Sequence, residues 1–209
     1  MEDILEVYQR PLDPDQPLIC MDEANRQLIE QVRAPIAPEP GQPERFDSEY
    51  KRNGTANVFM FCEPLRGKRH VRIAHQRTRR DWALLIRELV DDIYPQARKI
   101  TLVMDNLNTH CGAALYETFE PAEARRLLSK LEMHYTPKHG SWLNIAEIEL
   151  SVLHRQCLNR RIATREILKE QTHAWQTERN NDPTPVDWRF TTNDARIKLK
   201  RLYPRPQTT

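Results

Sequence analysis

The sequence predicts an α/β fold in which a mixed sheet carries helices on its faces. Three observations point there. Short apolar runs bounded by turn residues recur at 18–22, 55–62, 70–74, 100–104 and 131–135. Segments with a helical apolar stripe fall between and after them. The order is three strands, a helix, a strand, helices, a strand and helices, which suits neither an all-α nor an all-β domain.

Residues 1–16 carry little apolar pattern beyond Ile4, Leu5 and Val7, and Pro11, Pro14 and Pro17 stiffen the acidic stretch after them. They read as a linker into a domain that spans 17–204, with 205–209 as a tail. Leu18-Ile19-Cys20-Met21 is a buried strand ending on Asp22. Pro35, Pro38, Pro40 and Pro43 make 35–45 an extended surface loop. Thr55 to Cys62 and His70 to Ala74 are strands joined by a hairpin-type turn at Glu63-Pro64-Leu65-Arg66-Gly67-Lys68. Trp82, Leu85, Ile86, Leu89 and Ile93 form one stripe, so 78–94 is a helix, stopped by Pro95. Ile100 to Met104 is a second buried strand, ending on Asp105. Short helices come next at 111–118 and at 121–130, the latter with Pro121 in its first turn. Leu131 to Tyr135 is a strand, and helices cover about 145–159, 165–179 and 193–202.

The bulk composition is that of an ordinary globular protein, 39% hydrophobic and 30% charged over 209 residues. No run approaches the roughly 18 apolar residues of a membrane span, and no signal peptide is visible, so a cytoplasmic protein is expected. Cys20, Cys62, Cys111 and Cys157 lack a C-x-x-C pairing and read as reduced apolar residues rather than zinc ligands. Five glycines and no glycine-rich phosphate loop argue against nucleotide binding. The net charge of +2 is uninformative, but basic clusters at 51–52, 66–72, 77–80, 160–161 and 198–201 favour a polyanionic partner when taken together.

The chemistry-bearing feature is a set of acids. If the strands ending on Asp22 and Asp105 lie parallel and adjacent, with the helix at 78–94 as the crossover, both carboxylates reach one sheet edge. Carboxylates gathered at a poorly solvated edge call for a divalent cation. A third acid comes from Leu143-Asn144-Ile145-Ala146-Glu147. Asn144 and Glu147 also fit a capping box, which accounts for the glutamate without a metal. Glu149 is a rival; two residues turn about 200° around a helix, so Glu147 and Glu149 cannot share one metal, and local pattern does not choose between them. Asp22 and Asp105 each have a plainer reading too, as Asx-turn or cap residues.

Longer runs carry a resemblance. Met104-Asp105-Asn106-Leu107-Asn108-Thr109-His110 and Tyr135-Thr136-Pro137-Lys138-His139-Gly140-Ser141-Trp142-Leu143-Asn144-Ile145-Ala146-Glu147 resemble DDE-type transposases, in particular the bacterial insertion-sequence 630 family related to mariner-type elements. Met21-Asp22-Glu23, 40–45, 50–56 and 187–191 match in the same order, so the resemblance runs from about 18 to 204. It implies a ribonuclease-H-like fold and a triad of Asp22, Asp105 and Glu147, preferring Glu147 to Glu149. The interval from Asp105 to Glu147 is longer than is typical of mariner-type elements, and the helix at 121–130 is where the excess would go. The resemblance further implies two Mg²⁺ or Mn²⁺ ions on the triad, with Asp22 bridging. The activity implied is cleavage at transposon ends and strand transfer of the freed 3′-OH into double-stranded target DNA, at a TA dinucleotide, by a homodimer. Helix-turn-helix units that usually precede this domain are not seen here, so a separate DNA-binding subunit or a truncated remnant is expected. A non-catalytic DNA-binding remnant and a stand-alone metal nuclease are the competing readings.

Around the triad, Asn106, His110 and Asn144 are candidates to orient the acids. Lys138 and His139, with Arg77, Arg79 and Arg80, are candidates to meet DNA phosphates. Glu23 is expected to point to the opposite face from Asp22. Trp142 could stack on a base or simply pack, while Trp82, Trp175 and Trp188 read as packing residues.

Overall fold

In the computed structural model, residues 1–203 are described apart from 35, 44, 46 and 139. The centre is a five-stranded sheet in the order β3-β2-β1-β4-β5. Strands β1 (Leu18–Gln31), β2 (Tyr50–Glu63) and β3 (Lys68–Ala74) form an antiparallel meander. Strands β4 (Ile100–Met104) and β5 (Leu131–Tyr135) run parallel to β1 on its other side. This is the mixed α/β sheet expected from the order of elements.

The alternation of side chains along β1 and β4 builds two cores. Ile19 and Met21, with Leu102 and Met104, face helices α2 (Arg79–Glu88), α3 (Gly112–Thr118) and α4 (Pro121–Ser129). Leu18, Cys20 and Val103 face the other layer, where α1 (Glu2–Tyr8), α5 (Ile145–Leu153), α6 (Arg165–Asn181) and α7 (Thr192–Lys198) lie. A period of two therefore sends Asp22 and Asp105 toward α5 and Glu23 toward α2. Burial of both faces explains why these strands read as continuous apolar runs.

Most element boundaries fall where the sequence places them, and the departures have local causes. Helix α2 starts at a capping box in which Thr78 and Asp81 satisfy each other's backbone N–H. It widens into a π turn over Leu89–Ile93, and α5 does the same over His154–Leu158. Strand β1 is fourteen residues long rather than five. Its second half is polar and half-buried, held by the ladder to β2 rather than by an apolar face. The turn between β2 and β3 needs glycine: Gly67 has φ +63, and a Cβ there would lie 2.5 Å from the Thr184 carbonyl carbon.

The expected linker at 1–16 is the main correction. Residues 2–8 form α1, and Ile4, Leu5, Val7 and Tyr8 are buried in the core shared with α5 and α7. Only four of its residues are apolar, but all four lie on one side, and a short helix needs no more to dock. The tail at 205–209 lies outside the described residues. No helix among the described residues is long and apolar enough to cross a membrane. The four cysteines are free, with Cys20 and Cys62 buried opposite each other across β1 and β2.

Candidate active site

Parallel pairing sets Cys20 beside Val103. Two residues further along each chain, Asp22 and Asp105 reach the carboxyl edge at the same level and on the same face. Asp22 is still inside β1, paired with Met60 of β2, so the ladder holds its backbone. Asp105 is the first residue past β4, at the head of an irregular loop, with its side chain 29% exposed.

Glu147 arrives from the other layer. Asn144, fully buried, is the N-cap of α5: its Oδ1 accepts the Ala146 N–H at 3.1 Å. Its Nδ2 donates to the Met21 carbonyl at 2.8 Å, one residue before Asp22. One side chain thus starts the helix and pins that start to the strand. The reciprocal half of a capping box is missing: Glu147 makes no side-chain hydrogen bond among the described residues, and it is exposed in the first turn of α5. Glu149, by contrast, points into the core and forms a bidentate pair with Arg69 at 2.6 and 2.8 Å. The helix turn separates the two acids as geometry requires.

From the other side, Tyr8 of α1 steadies the same helix start. Its hydroxyl donates to the Leu143 carbonyl at 2.6 Å and accepts the Ile145 N–H at 3.4 Å. Removing the Asn144 amide severs both the cap and the tie to β1. Asn144→Ala is expected to cost about 1–3 kcal/mol, read as a lowered midpoint in urea unfolding.

Asp22 lies within electrostatic reach of the two other acids. Burial pushes the Asp22 carboxyl up to about 7, the Glu23 N–H at 2.8 Å partly offsets this, and the charges of Asp105, Glu23 and Glu147 push it further up. A carboxylate so disfavoured is one that a cation would stabilise. The donor set of three carboxylates is hard oxygen throughout, which fits Mg²⁺ or Mn²⁺.

Behind Asp105 lies a second cluster. The His110 ring is buried and stacks on Trp82 with centroids 6.0 Å apart. Its Nδ1 is 2.6 Å from Asp105 Oδ1, and its Nε2 is 3.2 Å from Glu23 Oε2. Burial alone would lower the imidazole; the two carboxylates outweigh it and hold the ring up at about 9. Glu23, Asp105 and His110 could also gather around a metal, since their donor atoms lie within 4.8 Å of one another.

The remaining candidates divide. Asn106 is exposed, and no side-chain contact of it is found among the described residues. Lys138 is exposed on the turn before α5. His139 lies outside the described residues. Arg77 reaches Glu23 Oε1 at 3.8 Å, beside the site, and Arg80 is exposed. Arg79 is engaged by Glu117 on the surface. Trp142 is 42% exposed and meets the Phe190 ring edge-on at 5.9 Å. Trp82 and Trp175 are buried, and Trp188 packs on Tyr8, as expected of packing residues. Sequence reasoning passed over Glu23 as a site residue. Its signal was its position: the residue after a strand-end aspartate must face the other layer, and His110 is the one buried histidine that layer offers among the described residues.

A family model described as DDE superfamily endonuclease matches residues 17–169. No curated protein matches the chain. Among solved structures, the Mos1 mariner paired end complex with Mn superposes with a TM-score of 0.57 at 15% identity, covering 87% of this chain and 54% of that one. The Mos1 strand transfer complex gives 0.54 at 15% identity, covering 84% and 51%. The chain spans about half the length of the structures it matches. At this identity the likeness establishes the ribonuclease-H-like fold, and the family rests on the sequence model, which covers well over half of the chain: the protein belongs to the DDE superfamily of endonucleases.

Proposed function

We propose that this chain is the catalytic unit of a DDE transposase, cutting DNA at transposon ends and joining the freed 3′ ends to target DNA. The observation that carries the reading is the placement of Asp22, Asp105 and Glu147 by β1, the end of β4 and the start of α5 toward one sheet edge, where burial, added to by the charges of the other acids, disfavours the ionised Asp22. Membership of an endonuclease family supports DNA as the substrate, and the solved relatives are described as complexes with transposon ends.

In this reading Asp22, Asp105 and Glu147 hold two Mg²⁺ or Mn²⁺ ions. Bound there, the ions would lower the pKa of the attacking water or 3′-OH and stabilise the leaving oxygen. Asn144 keeps Glu147 in register with Asp22. His110 orients Asp105. Lys138, Arg77 and Arg80 offer cations to the phosphates flanking the scissile bond. Two copies would act on paired ends.

The test is conversion of supercoiled plasmid to nicked circles with Mn²⁺, and joining of oligonucleotides with free 3′-OH ends to a plasmid. Asp105→Ala is expected to reduce both by at least about 100-fold, beyond the 10–100-fold typical of residues that only support a metal ligand. Nicking that survives Asp105→Ala overturns the reading; nicking without joining reduces it to a nuclease.

A further inference from the structure

We propose that Glu23 positions Asp105 for cation binding by acting through His110; the inference rests on the proposed role of Asp105 as a metal ligand. The problem it answers is structural. Asp22 is fixed by the ladder of β1, whereas Asp105 stands past the last pair of β4 and leads a loop. Backbone pairing therefore leaves the Asp105 carboxylate free to rotate. The His110 ring takes one oxygen, Oδ1, and leaves Oδ2 for a cation.

For the ring to do this it must itself be held. Trp82 flanks its face, the His110 N–H closes the loop onto the Leu107 carbonyl at 3.0 Å, and the Tyr135 hydroxyl donates to the His110 carbonyl at 2.9 Å. None of these sets the rotation of the ring about its own axis. Glu23 does. Its carboxylate, only 2% exposed, lies 3.2 Å from Nε2, so the ring is held between Glu23 on one side and Asp105 on the other.

Nothing in the sheet asks for an acid here. Glu23 pairs with Phe59 across β2, and the surrounding layer holds Phe61, Met104 and Trp82. A buried carboxylate among such neighbours is costly unless it is partnered, and the partners present are His110 and, more distantly, Arg77 at 3.8 Å. The run Asp105-Oδ1, His110, Glu23 thus links the acid at the end of β4 to the residue that follows Asp22 in β1.

The test is titration of the full chain with Mn²⁺, read by calorimetry or by loss of the free-ion paramagnetic resonance signal, with metal-free melting as the folding control. Glu23→Met, similar in size but unable to hold the ring, is expected to weaken Mn²⁺ binding by about 10–100-fold. Glu23→Gln, whose amide can still engage Nε2, is expected to recover most of that loss. In a His110→Ala background Glu23→Met should add no further weakening, because the two residues act in series. Unchanged affinity in a folded Glu23→Met protein, or losses that simply add in the double variant, overturns the inference. Should Glu23→Met not fold, Glu23→Gln with and without His110→Ala decides the same question by the same criterion. Wild-type protein that does not bind Mn²⁺, or Asp105→Ala protein that binds it equally well, overturns the proposed function together with this inference.

Discussion

Asp22→Asn is expected to stabilise the metal-free protein at pH 8 while removing the metal-dependent DNA cleavage proposed above. The folded state holds the Asp22 proton up to about pH 7, well above the ordinary carboxylate range. An unfolded chain releases it near pH 4. Between those values the folded state binds more protons, so this group's contribution to stability falls as pH rises, and above pH 7 the loss is complete. Asparagine has no proton to lose. The melting temperatures of the two proteins should therefore coincide near pH 4, separate through pH 5–7 and differ by a constant amount, on the order of 10 °C, above pH 7. Adding Mn²⁺ at pH 8 should close the gap by raising the wild type alone, since the ion stabilises the buried carboxylate that asparagine lacks. A gap that is absent at pH 8 would show that the Asp22 carboxyl is not held above its ordinary range in the folded state.

Glu149→Ala should be the most destabilising change to any acid in the domain. The Arg69–Glu149 pair is nearly sealed from water, at 3% and 8% side-chain exposure. Arg69 also anchors the end of α6: Asn180 accepts its backbone N–H at 2.9 Å and donates to its carbonyl at 2.7 Å. Deleting the carboxylate strands a buried guanidinium, a loss of about 3–5 kcal/mol. For a chain of this length that lowers Tm by roughly 6–20 °C. Glu147→Ala, two residues away and exposed, should melt within about 2 °C of wild type yet lose cleavage. The contrast is the check: comparable melting of the two variants would contradict the opposed placement of these side chains. Replacing both members of the pair by apolar residues should recover much of the stability, because the charge is then no longer stranded.

These two acids also show what was legible in the sequence. That Glu147 and Glu149 could not serve one site came from helix geometry; that Glu149 had a buried partner did not, because Arg69 lies 80 residues earlier on β3. Asp22 and Asp105 stood out because short apolar runs, too short for helices and bounded by turn residues, ended on them. Helix α1 went unread for the opposite reason. Its seven residues are too few for a clear period, and its partners are on α5, α7 and the segment around Trp188. The second half of β1 was hidden by its own polarity, since backbone pairing leaves no trace in side-chain pattern. The Asp105–His110–Glu23 contact needed both the alternation along β1 and the loop after β4, and only the first is written in the residues.

The docking of α1 has a consequence for how the protein is made. Glu2 pairs with Arg196, 194 residues later in the chain. At the usual pace of synthesis that partner emerges roughly 10–40 s after the helix does. Ile4, Leu5 and Val7 must wait that long for all of the layer that covers them. Because Tyr8 braces the start of α5, the nascent chain can complete its sheet, with Asp22 and Asp105 side by side, well before Glu147 is locked against them. A partly synthesised chain would then lack the finished arrangement of the three acids.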